Sequence, residues 1–179
     1  MPDIDTFASS LLEEAKRFLE IAATSDDQIR RDANLHAALM LSFSALEAHI
    51  NAMCEEFSTR PELSIHEKAL LLEQDVKLEN GAFKLAGFKM NRLEERMTFL
   101  HRRFSGKPLD KSAPWWAALG GAIDTRNKLT HPKGAHTVSV TGVKSAISAI
   151  VDAIDALYRA IYKKKFPAAS RGLNSRLTF

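Results

Sequence analysis

The chain has 179 residues, 45% of them hydrophobic and 26% charged, which is the balance of one folded domain rather than of a disordered chain. Its single cysteine, Cys54, excludes an intrachain disulfide framework and a cysteine-rich zinc site. The longest uncharged apolar stretch, residues 33–46, has 14 residues, whereas a membrane span needs about 20. The first residues carry acids where a signal peptide carries bases. These features predict a water-soluble, cytoplasmic, single-domain protein that binds no membrane.

The net charge of +3 is unevenly distributed along the chain. Residues 1–60 carry 11 acidic and 5 basic residues, a net charge of −6. Residues 126–144 carry four basic residues and residues 163–179 carry five, in both cases without an acid. A basic segment and a basic tail suit an anionic partner such as RNA, with Lys128, Lys133 and Lys144 as candidate contacts. The alternative is a basic helix end that complements the helix dipole, followed by a solvated tail.

Helical periodicity dominates the chain. Apolar residues spaced three and four apart predict helices over about residues 4–22, 27–57, 91–104 and 141–161, with a shorter one over 63–73. A further helix, capped by Ser112 and with Pro114 in its first turn, is expected to end near Thr130, because Pro132 disfavours helical geometry at the residue before it. Asn80-Gly81 joins two short alternating segments and predicts a β-hairpin. The expected fold is an all-α, up-and-down helical bundle with a small β-hairpin insertion.

The domain organisation follows from these elements. Residues 1–166 are expected to form one helical domain, with the hairpin insertion at about residues 75–86, and residues 167–179 a basic, mobile tail. Cys54 is expected to be a small core side chain rather than a nucleophile. Trp115 and Trp116 are expected to anchor the start of a helix rather than to stack on bases.

The residues with the clearest chemical potential lie at the end of the helix before Pro132. Arg126 is a permanent cation that can grip a phosphate with two hydrogen bonds. His131 lies five residues later at the helix C-terminus, which favours the protonated imidazole and suits proton transfer near neutral pH. The pair can therefore clamp a phosphate and move a proton. On these residues alone, a surface arginine and a helix-capping histidine are the alternative.

Two short strings resemble motifs of the HEPN superfamily. Residues 126–131, Arg-Asn-Lys-Leu-Thr-His, match its Arg-x4–6-His motif, including the asparagine that often follows the arginine. Residues 44–51, Ser-Ala-Leu-Glu-Ala-His-Ile-Asn, resemble the Ser-x-Leu-Glu-x-Tyr-x-Asn helix of the RiboL-PSP-like branch, with His49 at the usual aromatic position. The predicted order of elements is also similar to that of the family.

The resemblance implies a four-helix-type bundle that forms a homodimer in which two Arg-x4-His motifs face one cleft. Many such proteins are metal-independent endoribonucleases that need no cofactor and act as toxins or defence effectors. The implied partners are RNA and, for a toxin, a cognate antitoxin protein. Arg126 and His131 are the implied catalytic residues. Asn127 is implied to orient His131 or to contact the phosphate, Glu47 to pair with Arg126 or His131, and Asn51 to play a lesser supporting role. Glu47 is equally well explained as an ordinary solvent-facing acid.

Three functions remain open at this point. In the leading hypothesis, the 2′-hydroxyl of RNA attacks the adjacent phosphorus while His131 moves the proton and Arg126 stabilises the transition state. The second hypothesis is a catalytically inactive HEPN module that binds a nucleotide, RNA or a partner protein. The third is a structural helical protein in which the motif is a coincidence. The first two hypotheses keep the same residues, so the sequence does not separate them.

A patch of small residues precedes Arg126 by one to two helical turns. Gly120 and Gly121 lie in mid-helix, where each costs up to about 1 kcal/mol relative to alanine, beside Ala117, Ala118 and Ala122. Small side chains allow two helices to approach closely. The patch therefore predicts a homodimer with these residues near its two-fold axis.

Overall fold

The computed structural model describes residues 4–179; residues 1–3 of the expected domain lie outside this range. The described residues form six α-helices and one two-stranded antiparallel sheet, which confirms the helical bundle with a β-hairpin. In chain order the elements are α1 (Ile4–Thr24), α2 (Gln28–Ser58), α3 (Ile65–Leu72), β1 (Gln74–Glu79), β2 (Ala82–Phe88), α4 (Leu93–Ser105), α5 (Pro114–Thr130) and α6 (Val140–Tyr162). A short 3₁₀ helix, Pro167–Arg171, follows α6.

Helix α2 is the centre of the bundle. It begins after Asp27, whose carboxylate accepts hydrogen bonds from the backbone N–H groups of Ile29 and Arg30 and so caps the helix. Its apolar side chains pack against α1, α3, α4, α5 and α6, and they belong to one continuous core cluster with those of α6. Cys54 is 1% exposed on this helix, and burial raises the pKa of its thiol, as suits a core side chain.

By length and hydropathy, α2 also qualifies as a candidate membrane span. Its most apolar window has a mean hydropathy of 1.2, and 61% of that window is buried inside the protein. The central helix of a water-soluble bundle gives the same signal, so this feature is weak evidence for a membrane segment.

The hairpin is built around the turn that the sequence predicts. Asn80 and Gly81 have φ values of 52° and 79°, and positive φ at both central residues defines a type I′ turn. The strands pair antiparallel with Leu78 opposite Phe83, and both side chains are largely exposed. The hairpin lies against α3, where the rings of His66 and Phe83 are 5.8 Å apart. The hairpin therefore projects from the bundle and leaves the side chains of Leu78 and Phe83 exposed to solvent.

Helix α5 begins one residue later than expected, and the prediction that Ser112 caps it is wrong. The capping position is Ala113, which offers no side-chain hydrogen bond, and Pro114 occupies the first turn. Both the N–H and the hydroxyl of Ser112 instead donate to the carboxylate of Asp110, at 2.9 and 2.6 Å. Ser112 thus closes the preceding turn. Trp116 packs partly buried on the core, as does Trp115, with the two rings 5.7 Å apart.

Residues 167–179, for which the sequence predicts a mobile tail, lie along α1 in this structure. Ala168 is buried, as is Phe166 just before the tail. The backbone N–H groups of Ser175 and Arg176 donate to the carboxylates of Glu20 and Glu13, at 2.8 and 2.6 Å. The acids of the negatively charged N-terminal region therefore hold the basic tail.

Candidate functional site

Arg126 lies in the penultimate turn of α5 and faces α2. The apolar face of α5, with Leu119 and Ala122 buried, packs on α6 and fixes the helix. The Arg126 guanidinium lies 5.0 Å from the centre of the Phe43 ring on α2. Its Nη1 donates to Oε1 of Glu47 at 2.6 Å. Because Phe43 and Glu47 are one helical turn apart, the same face of α2 provides both contacts.

The structure thus places Glu47 against Arg126 rather than against His131. The side chain of Arg126 is 24% exposed and that of Glu47 is 46% exposed, so the pair is partly screened by water. The resemblance implies Arg126 or His131 as the partner of Glu47, and the structure shows a contact with Arg126.

Asn127 accepts hydrogen bonds from both Arg126 and His131, with different atoms. Its side-chain Oδ1 accepts from Nε and Nη2 of Arg126 at 3.3 and 3.2 Å. Its backbone carbonyl accepts from the N–H of His131 at 2.9 Å. A guanidinium has five N–H groups, and these contacts with Glu47 and Asn127 use three of them. Arg126 is therefore fixed in position while two N–H groups remain for a ligand.

His131 ends α5, and its backbone no longer has helical geometry. It is the C-terminal cap, with φ −128° and ψ 64°, and its side chain is exposed. The imidazole makes no hydrogen bond with any of the described residues. It is thus open to a ligand.

Arg126 and His131 line a common open groove of about 910 Å³, here called the His131 groove. It lies between the end of α5, the loop to α6 and Met40 of α2, and its other charged or titratable lining residues are Asp124, Lys128, Lys133 and His136. Cations outnumber acids here, since Asp124 is the only acid in the lining and is paired with Lys128 at 2.6 Å. Such a groove suits an anion.

Two of the three candidate RNA-binding lysines line this groove. Lys128 and Lys133 do, whereas Lys144 is exposed on α6 and does not. Sequence reasoning missed His136, although it belongs to the basic segment 126–144 that singled out the lysines.

A second groove of about 470 Å³, here called the Asn51 groove, opens on the α4 side of Arg126. It contains Glu47 and Asn51 from α2, and Phe88 and Met90 from the end of the hairpin. Met90, Arg126 and Asn127 line both grooves, so the two adjoin at these residues. The sequence did not indicate Phe88 or Met90, because they follow no helical periodicity.

His49 lies in the core, apart from both grooves. It is 1% exposed, and its ring packs edge-on against Phe166 and Tyr158, with centroids 5.1 and 6.2 Å away. Neither ring nitrogen has a hydrogen-bond partner among the described residues, and Asp5 lies 3.8 Å from Nδ1. Burial lowers the pKa of His49 to about 4. The position is an aromatic packing site that a neutral histidine fills.

Among residues 4–179, no three side chains of His, Cys, Asp or Glu come together as a group that could hold a metal ion. Searches against protein-family models, curated proteins and solved structures gave no match to the chain.

Proposed function

We propose that the protein is an endoribonuclease of the HEPN type that cleaves RNA without a metal ion. The observation that carries the proposal is the arrangement of Arg126 and His131 in one cationic groove. Arg126 is fixed by Glu47, Asn127 and Phe43 and keeps two N–H groups free, while His131 has an unengaged imidazole. A phosphate held by Arg126 would lie in the groove that His131 also lines.

In this proposal the substrate supplies its own nucleophile. His131 accepts the proton of a ribose 2′-hydroxyl, whose oxygen attacks the adjacent phosphorus. Arg126 stabilises the negative charge that develops on the phosphorane-like transition state. The bond from phosphorus to the 5′-oxygen then breaks, and a protonated histidine of a second protomer donates a proton to that oxygen. The products are a 2′,3′-cyclic phosphate and a 5′-hydroxyl.

The second protomer is part of the proposal. Ala117 and Gly121 are exposed on α5, and a Cβ added at Gly121 would meet no heavy atom of the described residues within 4 Å. This leaves room for a second α5 beside the first, which supports a homodimer with both motifs in one cleft. A role as a toxin or defence effector, with a cognate antitoxin, rests on the family resemblance alone.

One observation favours a catalytically inactive module that binds a nucleotide, RNA or a protein. The 2.6 Å ion pair with Glu47 partly neutralises Arg126, which reduces the charge available to a transition state.

The test is cleavage of a DNA strand that contains a single ribose, in the presence of EDTA. We expect wild-type protein to cut only after the ribose and to leave a 2′,3′-cyclic phosphate and a 5′-hydroxyl. His131→Ala should slow cleavage by about 10²- to 10⁴-fold, the usual worth of a proton-transfer group. Arg126→Lys should also be impaired, because an ammonium does not reproduce the planar set of donors.

The matched control is His66→Ala, which removes an exposed histidine of α3 that lines neither groove. It should cut at the wild-type rate. Wild-type protein that binds this strand without cutting it, with His131→Ala binding equally well, would overturn the enzyme in favour of the binding module.

A further inference from the structure

We propose that the Asn51 groove is a nucleobase subsite that selects guanine at the nucleotide 5′ to the cleaved bond. The position of the cleaved bond relative to this subsite rests on the proposed function. The subsite itself is argued from the charge, the exposed apolar side chains and the unengaged polar groups of the groove.

The two grooves that meet at Arg126 differ in charge. In the Asn51 groove the acids match the bases: Glu47 pairs with Arg126 at 2.6 Å and Glu73 pairs with Arg96 at 3.1 Å. The remaining charges of its lining are one base, Arg92, and one acid, Glu94. The His131 groove has an excess of cations instead. A phosphate therefore prefers the His131 groove, and the Asn51 groove suits an uncharged group on the same ligand.

The apolar side chains at the Asn51 groove suit a flat aromatic ring. Phe88 is 77% exposed and Met90 is 79% exposed, although both are large and apolar. Leu93 and Ile123 are packed on the core and also line the groove. A base that enters the groove can stack on the exposed face of Phe88, which is how proteins bind the bases of single-stranded nucleic acids.

Two side chains of the groove that can accept hydrogen bonds are left without partners. The Asn51 carboxamide and the Glu94 carboxylate make no hydrogen bond or ion pair with the described residues. A carboxylate only accepts hydrogen bonds, whereas an amide both donates and accepts. Guanine offers two adjacent donors, N1–H and the 2-amino group, next to the acceptor O6. Uracil offers a single N–H that lies between two carbonyl oxygens. These oxygens are acceptors, so the oxygens of a carboxylate repel them.

The shared wall of the grooves connects base recognition to the reaction. Arg126, Asn127 and Met90 line both grooves. A guanine in the Asn51 groove therefore leaves its own 3′-phosphate at Arg126, in the His131 groove. Cleavage then follows guanosine.

The first test is equilibrium binding of 3′-GMP and 3′-UMP to the full chain by calorimetry. Neither nucleotide can be cleaved, so the readout is independent of catalysis. We expect 3′-GMP to bind at least about tenfold more tightly than 3′-UMP, and Phe88→Ala to weaken 3′-GMP binding by about tenfold. Glu94→Gln should reduce the preference for 3′-GMP.

The matched control is Phe83→Ala, which removes a 60% exposed phenylalanine of the same strand that does not line the groove. It should bind 3′-GMP as wild type does. Equal affinity for the two nucleotides, or equal effects of Phe88→Ala and Phe83→Ala, would overturn the subsite.

Cleavage of single-ribose strands with guanine or uracil at the ribose separates this inference from the proposed function. Cleavage that depends on His131 but ignores the base would overturn the subsite and leave the nuclease standing. Binding of 3′-GMP that depends on Phe88, without any cleavage, would support the subsite and overturn the nuclease.

Discussion

Glu47 on α2 and Arg126 on α5 are 79 positions apart in the chain and are joined by a hydrogen-bonded ion pair of 2.6 Å. The pair joins the two helices next to the groove that also contains His131. It determines the orientation of the guanidinium more than it stabilises the fold, because a partly exposed ion pair contributes only about 0–1 kcal/mol.

We therefore expect Glu47→Ala to lower kcat without weakening RNA binding. The guanidinium loses one of its anchors, and misplacement of a catalytic group costs about 10- to 100-fold in rate. RNA binding stays equal or becomes tighter, because a negative charge next to the phosphate site is gone. Single-turnover cleavage and a separate binding isotherm distinguish the two effects, and the melting temperature should hardly change.

Glu79→Ala is the control for this prediction. It removes the same charge from an exposed pair with Lys84 on the hairpin, at 3.3 Å, and should change neither quantity. An unchanged kcat for Glu47→Ala would show that Glu47 does not position Arg126.

The hairpin turn makes a stability prediction. Asn80 adopts φ 52°, a region that asparagine tolerates and a β-branched residue does not. Asn80→Val should lower the free energy of unfolding by about 1 kcal/mol, whereas Asn80→Gly should retain wild-type stability. Denaturant titration of both variants checks the prediction. Equal stability of Asn80→Val and wild type would contradict the strained turn.

The α5 surface makes a prediction about assembly. We expect wild-type protein to be a dimer by light scattering at tens of micromolar, and Gly121→Leu to be a folded monomer. The leucine meets open space within the protomer and favours the helix, so the fold is retained while the close approach of two helices is lost.

Ala33→Leu adds bulk at an exposed small residue of α2 and should remain dimeric. A monomeric wild-type protein would rule out the shared cleft. A dimeric Gly121→Leu variant would show that this patch is not at the two-fold axis.

His49 makes the stability depend on pH. Its pKa is about 4 in the folded protein, against 6.5 for a free histidine, so the unfolded chain takes up the proton first as the pH falls. The contribution of His49 to the free energy of unfolding is fully present above about pH 6.5 and is lost as the pH falls toward 4. The loss from this residue is at most about 3 kcal/mol.

We expect His49→Phe to keep the stability at pH 7, since Phe166 and Tyr158 already surround the position with rings, and to flatten the decline below pH 6.5. The measurement is the free energy of unfolding at several pH values. His66→Phe, at an exposed histidine, should retain the wild-type slope. An unchanged slope in His49→Phe would contradict the role of His49.

Sequence periodicity predicted most of the helical framework. Each long helix buries a stripe of apolar residues, and Asn80-Gly81 has few turn geometries other than the one observed. Signals of this kind are local, since a few neighbouring residues specify them completely.

The features that the sequence did not predict are of two kinds: a polar side chain that has more than one possible partner nearby, and a contact between residues that are distant in the chain. Ser112 bonds to Asp110 instead of capping α5, a choice between two local partners that composition does not decide. The Asn127 side chain bonds to Arg126, although its spacing from His131 also suited that histidine. Phe88 lies beside Asn51 and Arg126 only in the folded protein, because these residues come from the hairpin, α2 and α5. The sequence therefore indicated Arg126 and His131 of the His131 groove, and Glu47 and Asn51 of the second groove, but not the apolar side chains of Phe88 and Met90 beside them.

The contact between the tail and α1 can be followed through the chemical reactivity of Lys16. Lys16 is fully buried, and its ammonium lies 3.6 Å from Glu13, the same carboxylate that binds Arg171 and the backbone of Arg176 in the tail. Burial lowers the pKa of Lys16, the Glu13 carboxylate opposes this shift, and the positive charges of the two tail arginines add to it. An amine-reactive label therefore cannot reach this lysine while the tail is docked. The rate at which Lys16 is acylated, followed by peptide mass spectrometry, would measure how often the tail and α1 separate.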